Sequence, residues 1–154
     1  MIALIAAMSE NLVIGCRGGL PWHLPSELGY FQRMTMGCTC IMGRNTYLTL
    51  GGGGLPGRQL IVLSHHPLGC VLTVTRLQDA LAMARHTVMI CGGARIYAEA
   101  LSVADRLYLS VVHCRMAGDR LFPWWYRRHF VRTEVSERVH DALDWHAEVW
   151  ERRV

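Results

Sequence analysis

The chain of 154 residues contains no lysine: all 16 of its basic side chains are arginine, set against 12 acids. The formal excess of +4 is mild; it favours anionic small molecules and requires no nucleic acid partner. No hydrophobic run is long enough to span a bilayer and the first residues lack a signal-peptide pattern, which excludes a membrane protein and points to a soluble, cytoplasmic one. Charged residues make up only 18% and hydrophobic ones 51%, so a disordered chain is excluded as well. The six cysteines lack the spacing of a disulfide framework or a zinc site, since Cys38 and Cys40 form only a C-x-C and Cys16, Cys70, Cys91 and Cys114 are scattered. They read as reduced thiols, with no metal centre. No repeat, low-complexity segment or linker divides the chain, and residues 1–154 read as one domain able to bury a real core. The G-x-G-x-x-G fingerprint of the usual dinucleotide fold is also missing.

What is there centres on the stretch from Gly18 to Thr35. Pro25 and Ser26 suit a helix start, with Ser26 able to cap, and the apolar positions then fall at Leu28, Phe31 and Met34 or Thr35. Glu27 shares a face with Phe31 at i and i+4, which sets one carboxylate on the stripe that should face the interior. A carboxylate there is costly unless something binds it. Ahead of it, Gly18-Gly19-Leu20-Pro21-Trp22 joins flexible glycines to a rigid Pro-Trp pair whose indole N–H needs a partner. Acid, indole and glycine loop together suggest a polar heterocycle bound under a lid.

In chain order, Ile2 to Met8 is an uninterrupted apolar run, the pattern of a central strand covered on both faces. Ser9 to Trp22 is a long loop. Thr39 to Met42 reads as a strand running into Gly43-Arg44-Asn45-Thr46 and a short helix that ends near Leu50. Leu60 to Ser64 and Val71 to Thr75 are strands, Gln78 to Arg85 an amphipathic helix, and Val88 to Cys91 a strand that enters Gly92-Gly93-Ala94-Arg95-Ile96-Tyr97 and a helix to Leu101. Leu107 to His113 is strand-like, and Phe130 to Glu137 with Trp145 to Glu151 form a terminal antiparallel hairpin. The expectation is an α/β fold of about eight strands and four helices. Its two strand-glycine-helix junctions can hold separate phosphates, as a dinucleotide requires. Arg44, with His65 or His66, suits an additional phosphate.

These residues resemble dihydrofolate reductase of the bacterial single-domain type over essentially the whole chain. The matching segments are Ile2 to Ala7, Val13-Ile14-Gly15, Gly19-Leu20-Pro21-Trp22, Ile41 to Thr46, Leu55-Pro56-Gly57-Arg58, Gly92 to Tyr97, and Gly118-Asp119 with Phe122-Pro123. The resemblance implies a central, mostly parallel sheet and NADPH-dependent reduction of 7,8-dihydrofolate to tetrahydrofolate, by a monomer open to antifolate inhibitors. In that reading Glu27 pairs with the pterin ring, Ser110 supplies its hydroxyl partner, Trp22 holds a water and Leu20 belongs to the lid. Ile5, Ala6 and Cys91 line the pterin pocket, Leu28, Phe31 and Leu50 the aminobenzoyl channel, and Arg58 clamps the glutamate α-carboxylate. Ala7, Ile14, Gly15 and Tyr97 would surround nicotinamide. Gly43, Arg44, Asn45, Thr46, Ser64, His65, Gly92, Gly93, Ala94, Arg95 and Ile96 would run along the phosphates and adenosine.

The chain departs from the pattern in places. Bacterial chromosomal members usually carry aspartate where this chain has Glu27, and Glu27 to Thr35 looks more like the vertebrate enzymes, which implies insensitivity to trimethoprim. Cys91 stands where a branched aliphatic is usual, Ala94 replaces a third glycine, and the run Gly51 to Gly54 is one residue longer than usual and lacks a nearby arginine. Two other readings remain open at this stage. Phe122 to Arg132 interleaves rings and arginines as single-strand nucleic-acid surfaces do, or else closes onto the last hairpin with its rings tucked in. The reductase domain of riboflavin biosynthesis shares the sheet and cofactor, but has no natural use for Glu27, Trp22 and Arg58 together.

Overall fold

The computed structural model describes residues 1–15, 19–50 and 54–154. In chain order the elements are β1 (Ile2–Ser9), β2 (Val13–Gly15), α1 (Pro25–Thr35), β3 (Thr39–Gly43), α2 (Arg44–Leu48), β4 (Gln59–Leu63) and β5 (Leu72–Val74). There follow α3 (Leu77–Met83), β6 (Val88–Ile90), α4 (Ala94–Ala100), β7 (Arg106–Val112), β8 (Arg120–Leu121), α5 (Tyr126–His129), β9 (Phe130–Val135) and β10 (Trp145–Arg152). Cys16 and Gly18, and Gly51 to Gly53 of the glycine run, lie outside the described residues.

Eight strands form one sheet in the order β5-β4-β3-β6-β1-β7-β10-β9. The first six in that order run parallel, and β10 is antiparallel to both β7 and β9. The continuous apolar run of β1 has its reason here: the strand pairs on both edges and packs on both faces. Leu4, Ala6 and Met8 enter one buried cluster with Ile41, Ile90, Leu107 and Tyr97, while Ala3 and Ile5 enter the other with Cys40, Met42 and Val62. A third cluster, Leu24, Val112 and Trp145 with Trp22 and Tyr30 against it, ties the start of α1 to the final hairpin. Among the described residues, no helix is long and apolar enough to cross a membrane.

The long loop after β1 contains a strand too short to read in advance, β2, which pairs with β8 in a small second sheet. A fifth helix, α5, lies within the stretch of rings and arginines. There Phe122, Tyr126 and Phe130 are fully buried, and only Trp124 stands out at 57% exposure with Arg128 stacked 4.7 Å from its ring centre. Apart from Trp124, the rings of that segment are spent on the core. Ser26 also departs from expectation: Leu24 is the N-cap of α1, no side chain caps it locally, and Pro25 takes the first helical position.

Candidate active site

Parallel strands with helical crossovers leave a crevice at their carboxyl ends. Here β1, β3, β4 and β6 deliver Ala7, Gly43, Ser64 and Gly92 to one cleft of about 920 Å³. The two glycine junctions are joined, because Gly43 N–H donates to the Gly92 carbonyl at 2.8 Å. Gly92 has φ +123°, and a Cβ on it would meet the Thr46 and Tyr97 hydroxyls at 3.3 Å. Bare backbone is therefore required at Gly92, just before α4, and no side chain caps α2 or α4. Arg44, Asn45, Thr46, Ala94, Arg95, Ile96 and His65 line this side of the cleft, with Ile14 and Gly15 opposite.

At the other side, α1 presents Glu27, Leu28 and Phe31, and β1 presents Ile5 and Ala6. Glu27 lies in the first turn of α1 and is only 6% exposed. Burial pushes its carboxyl above the ordinary range, and a hydrogen bond from the Ser110 hydroxyl draws it partly back. Ser110 is itself buried on β7, opposite Ala7 of β1, beneath the cleft and not on its wall. Leu20 and Leu28 line the cleft yet remain 53% and 46% exposed, an apolar surface of the kind that marks a binding site. Trp22, Leu50, Cys91 and Gly93 complete the expected lining. The Trp22 indole N–H is buried with no acceptor among the described residues.

Arg58 sits outside the cleft lining, held beside the C-terminal end of α1. Its Nη1 donates to Thr35 Oγ1 and its Nε to the Pro56 carbonyl, both at 3.1 Å. Thr35 is fixed in turn, since its hydroxyl donates to the Phe31 carbonyl at 2.8 Å. The turn that brings Arg58 there needs Gly57, whose φ is +76°. Tyr97 lies deep in the cleft wall, and its hydroxyl donates to the Ile5 carbonyl at 2.6 Å. The Ser64 hydroxyl is engaged with the backbone: it donates to the His66 carbonyl and accepts the His66 N–H.

Met42, Thr49, Leu63 and Arg120 also line the cleft and were not anticipated from the sequence. Met42 and Leu63 are the residues just before Gly43 and Ser64, so their place follows from the strand ends. Arg120 arrives through the β2–β8 pairing, a contact that leaves no periodic trace.

A model of the family described as dihydrofolate reductase matches residues 1–152. The chain is 39% identical over 142 residues to a dihydrofolate reductase of Neisseria meningitidis serogroup A, covering 89% of this chain and 88% of that one. It is 41% identical over 128 residues to the dihydrofolate reductase type 3 of Salmonella typhimurium, covering 80% and 78%. Its structure is similar to that of the dihydrofolate reductase from Enterococcus faecalis complexed with NADP(H) and RAB-propyl, with TM-score 0.90 and 29% identity over 100% of this chain and 97% of that one.

Proposed function

The chain belongs to the dihydrofolate reductase family and is an enzyme of that type, and on that premise we propose how its own residues divide the work of reducing 7,8-dihydrofolate with NADPH. The observation that carries the reading is the buried Glu27 carboxylate in the cleft wall with the Ser110 hydroxyl as its partner. A carboxylate so placed accepts two hydrogen bonds side by side, the complement of the pterin 2-amino group and its neighbouring ring nitrogen. Ile5, Ala6 and Cys91 flank the ring, Leu28, Phe31 and Leu50 take the aminobenzoyl group, and Arg58 meets the glutamate α-carboxylate.

The opposite half fits the cofactor. Bare backbone at Gly92 and uncapped starts of α2 and α4 suit two phosphate groups, and Arg44 and Arg95 add positive charge beside them. Bound there, NADPH supplies the hydride that the pterin C6 accepts. That transfer is easier once N5 carries a proton, because the imine is then an iminium. Glu27 orients and polarises the ring, a water held near Trp22 delivers the proton to N5, and Leu20 closes over the site to keep bulk solvent out.

The Trp22 N–H, without an acceptor among the described residues, allows a direct test. A buried donor without an acceptor costs about 1–3 kcal/mol. Trp22→Phe should therefore leave the Tm of the ligand-free protein unchanged or raised, while turnover falls roughly 10-fold. A loss of Tm with full turnover would mean that the indole serves packing alone.

A finer reading concerns inhibitors. Glu27 carries its carboxylate one methylene farther than the aspartate usual in bacterial chromosomal members, and Tyr30-Phe31 with Gln32 to Thr35 matches the vertebrate pattern. This supports insensitivity to trimethoprim with sensitivity to methotrexate. The loss of NADPH absorbance in the presence of dihydrofolate, repeated with each inhibitor, tests both levels. Turnover stopped by methotrexate and not by trimethoprim is the expected result. A nanomolar inhibition constant for trimethoprim would remove the finer reading and leave the reaction standing.

A further inference from the structure

The loop between β9 and β10 reaches back to the start of the helix that carries the acid. Of the opening N–H groups of α1, Pro25 has none, and those of Glu27 and Leu28 turn back to the Leu24 carbonyl at 3.1 and 3.0 Å. The Ser26 N–H remains, and it donates to Asp141 Oδ2 at 3.1 Å, across 115 residues of sequence. The Ser26 hydroxyl donates to the same oxygen at 2.5 Å and accepts the Trp145 indole N–H at 2.8 Å. Leu24, the residue at the N-cap, has no side chain able to do this. The loop thus provides in trans the carboxylate that a helix start favours.

Trp145 leads on to the acid's other partner. It opens β10, buried, with its ring 5.6 Å from that of Tyr30 on α1. Two residues later Ala147 pairs with Ser110 of β7, whose hydroxyl bonds Glu27. One stretch of the hairpin, 141–147, therefore holds both the turn that precedes Glu27 and the strand that carries its hydrogen-bond donor. We infer that Asp141 is a positioning residue for dihydrofolate reduction, fixing the Glu27 carboxylate against Ser110 by capping α1 through Ser26. It does not line the cleft and acts only through the helix. Bonds from Ser26 and from the Ala142 N–H hold the Asp141 carboxyl below its ordinary range, and His23 is a titratable neighbour. The titratable groups facing Glu27 are Tyr30 and Tyr97, both pushed up by burial and so neutral under working conditions.

The inference rests on the proposed role of Glu27, and the test separates the two. Wild type, Asp141→Ala, Asp141→Asn and Ser26→Ala are compared in steady-state kinetics with NADPH and dihydrofolate. The Glu27 titration is read from the carboxyl infrared band that Glu27→Gln removes. Asp141→Ala is expected to lose about 3- to 30-fold in kcat/KM for dihydrofolate, as small misplacements of a reacting group do, with KM for NADPH unchanged. The Glu27 titration moves to higher pH as the Ser110 bond loosens. Asp141→Asn keeps an acceptor oxygen and recovers most of the rate and the titration, whatever its Tm. Ser26→Ala shows the same loss, and adding Asp141→Ala to it adds little. Variants that lose only Tm, with kcat/KM and the Glu27 titration as in wild type, would overturn the inference. A Glu27→Gln protein that turns over dihydrofolate as fast as wild type would overturn the reading of Glu27 itself, and the inference with it.

Discussion

Glu27→Gln is expected to lower turnover of dihydrofolate by about 10²- to 10⁴-fold at neutral pH and to raise the stability of the protein at the same pH. Turnover falls because glutamine keeps the shape of the side chain but cannot offer the pterin a charge-assisted pair of acceptors. The loss should shrink in acid, where substrate arrives already protonated at N5. Equal losses across the pH range would count against the role. Stability moves the other way because burial raises the Glu27 carboxyl above its ordinary value in the folded protein. Below the unfolded value both states are protonated and Glu27→Gln changes little. As pH rises through the interval between the unfolded and the folded values, the unfolded chain ionises first and the folded state loses stability. Above the folded value that deficit is complete, and glutamine removes it. The expected gain is about 2–4 °C in Tm at neutral pH, the shift that 1 kcal/mol brings in a chain of this size, and none in strong acid. Thermal unfolding at two pH values decides it. A lower Tm for the variant at neutral pH would mean that the carboxylate stabilises the fold.

Arg58→Leu is expected to raise KM for dihydrofolate by roughly 10- to 100-fold with kcat nearly unchanged, because a charged hydrogen-bonded pair contributes about 1.5–3 kcal/mol to binding. The interaction lies far from the reacting atoms, so it is made equally in the ground state and the transition state. Arg58 suits this work because its orientation is already set. Thr35 and the Pro56 carbonyl hold the Nη1 and Nε side of the guanidinium, and Thr35 is anchored on α1. Arg58→Lys should not restore binding, since an ammonium has neither the fork nor the anchor. The check is a dihydropterin lacking the benzoylglutamate tail, which all three proteins should turn over alike. A loss with that shortened substrate would show that Arg58 shapes the cleft and does not grip the tail.

Much of this site could be read in the sequence because its signals are local. The unbroken apolar run of β1 predicts a central strand, and the strand-glycine-helix junctions at Gly43 and Gly92 do meet in one cleft. Glu27 announces itself as the acid on an apolar helical stripe, and it is buried. Ser26 shows where such reasoning stops. Its spacing suggests a local cap, whereas its hydroxyl and N–H both go to Asp141, a partner that no periodicity reveals. The same holds for β2 and β8, at three and two residues too short for alternation to register. Arg120 enters the cleft only because those two short strands meet. Ser64, expected along the cofactor, spends its hydroxyl on the backbone of the turn that carries His65 and His66.

The hydrogen bond from Tyr97 to the Ile5 carbonyl joins α4, at the proposed cofactor end of the cleft, to β1, at the proposed substrate end. One buried polar bond thus ties the two ends of the cleft together. A ligand that steadies the first turn of α4 is expected to steady the end of β1 as well, so that a second ligand there has less to order. Thermodynamic reciprocity then fixes the return: whatever factor one ligand adds to the other's affinity, it receives back in full. Titrating each ligand in the presence and absence of the other reads that factor directly.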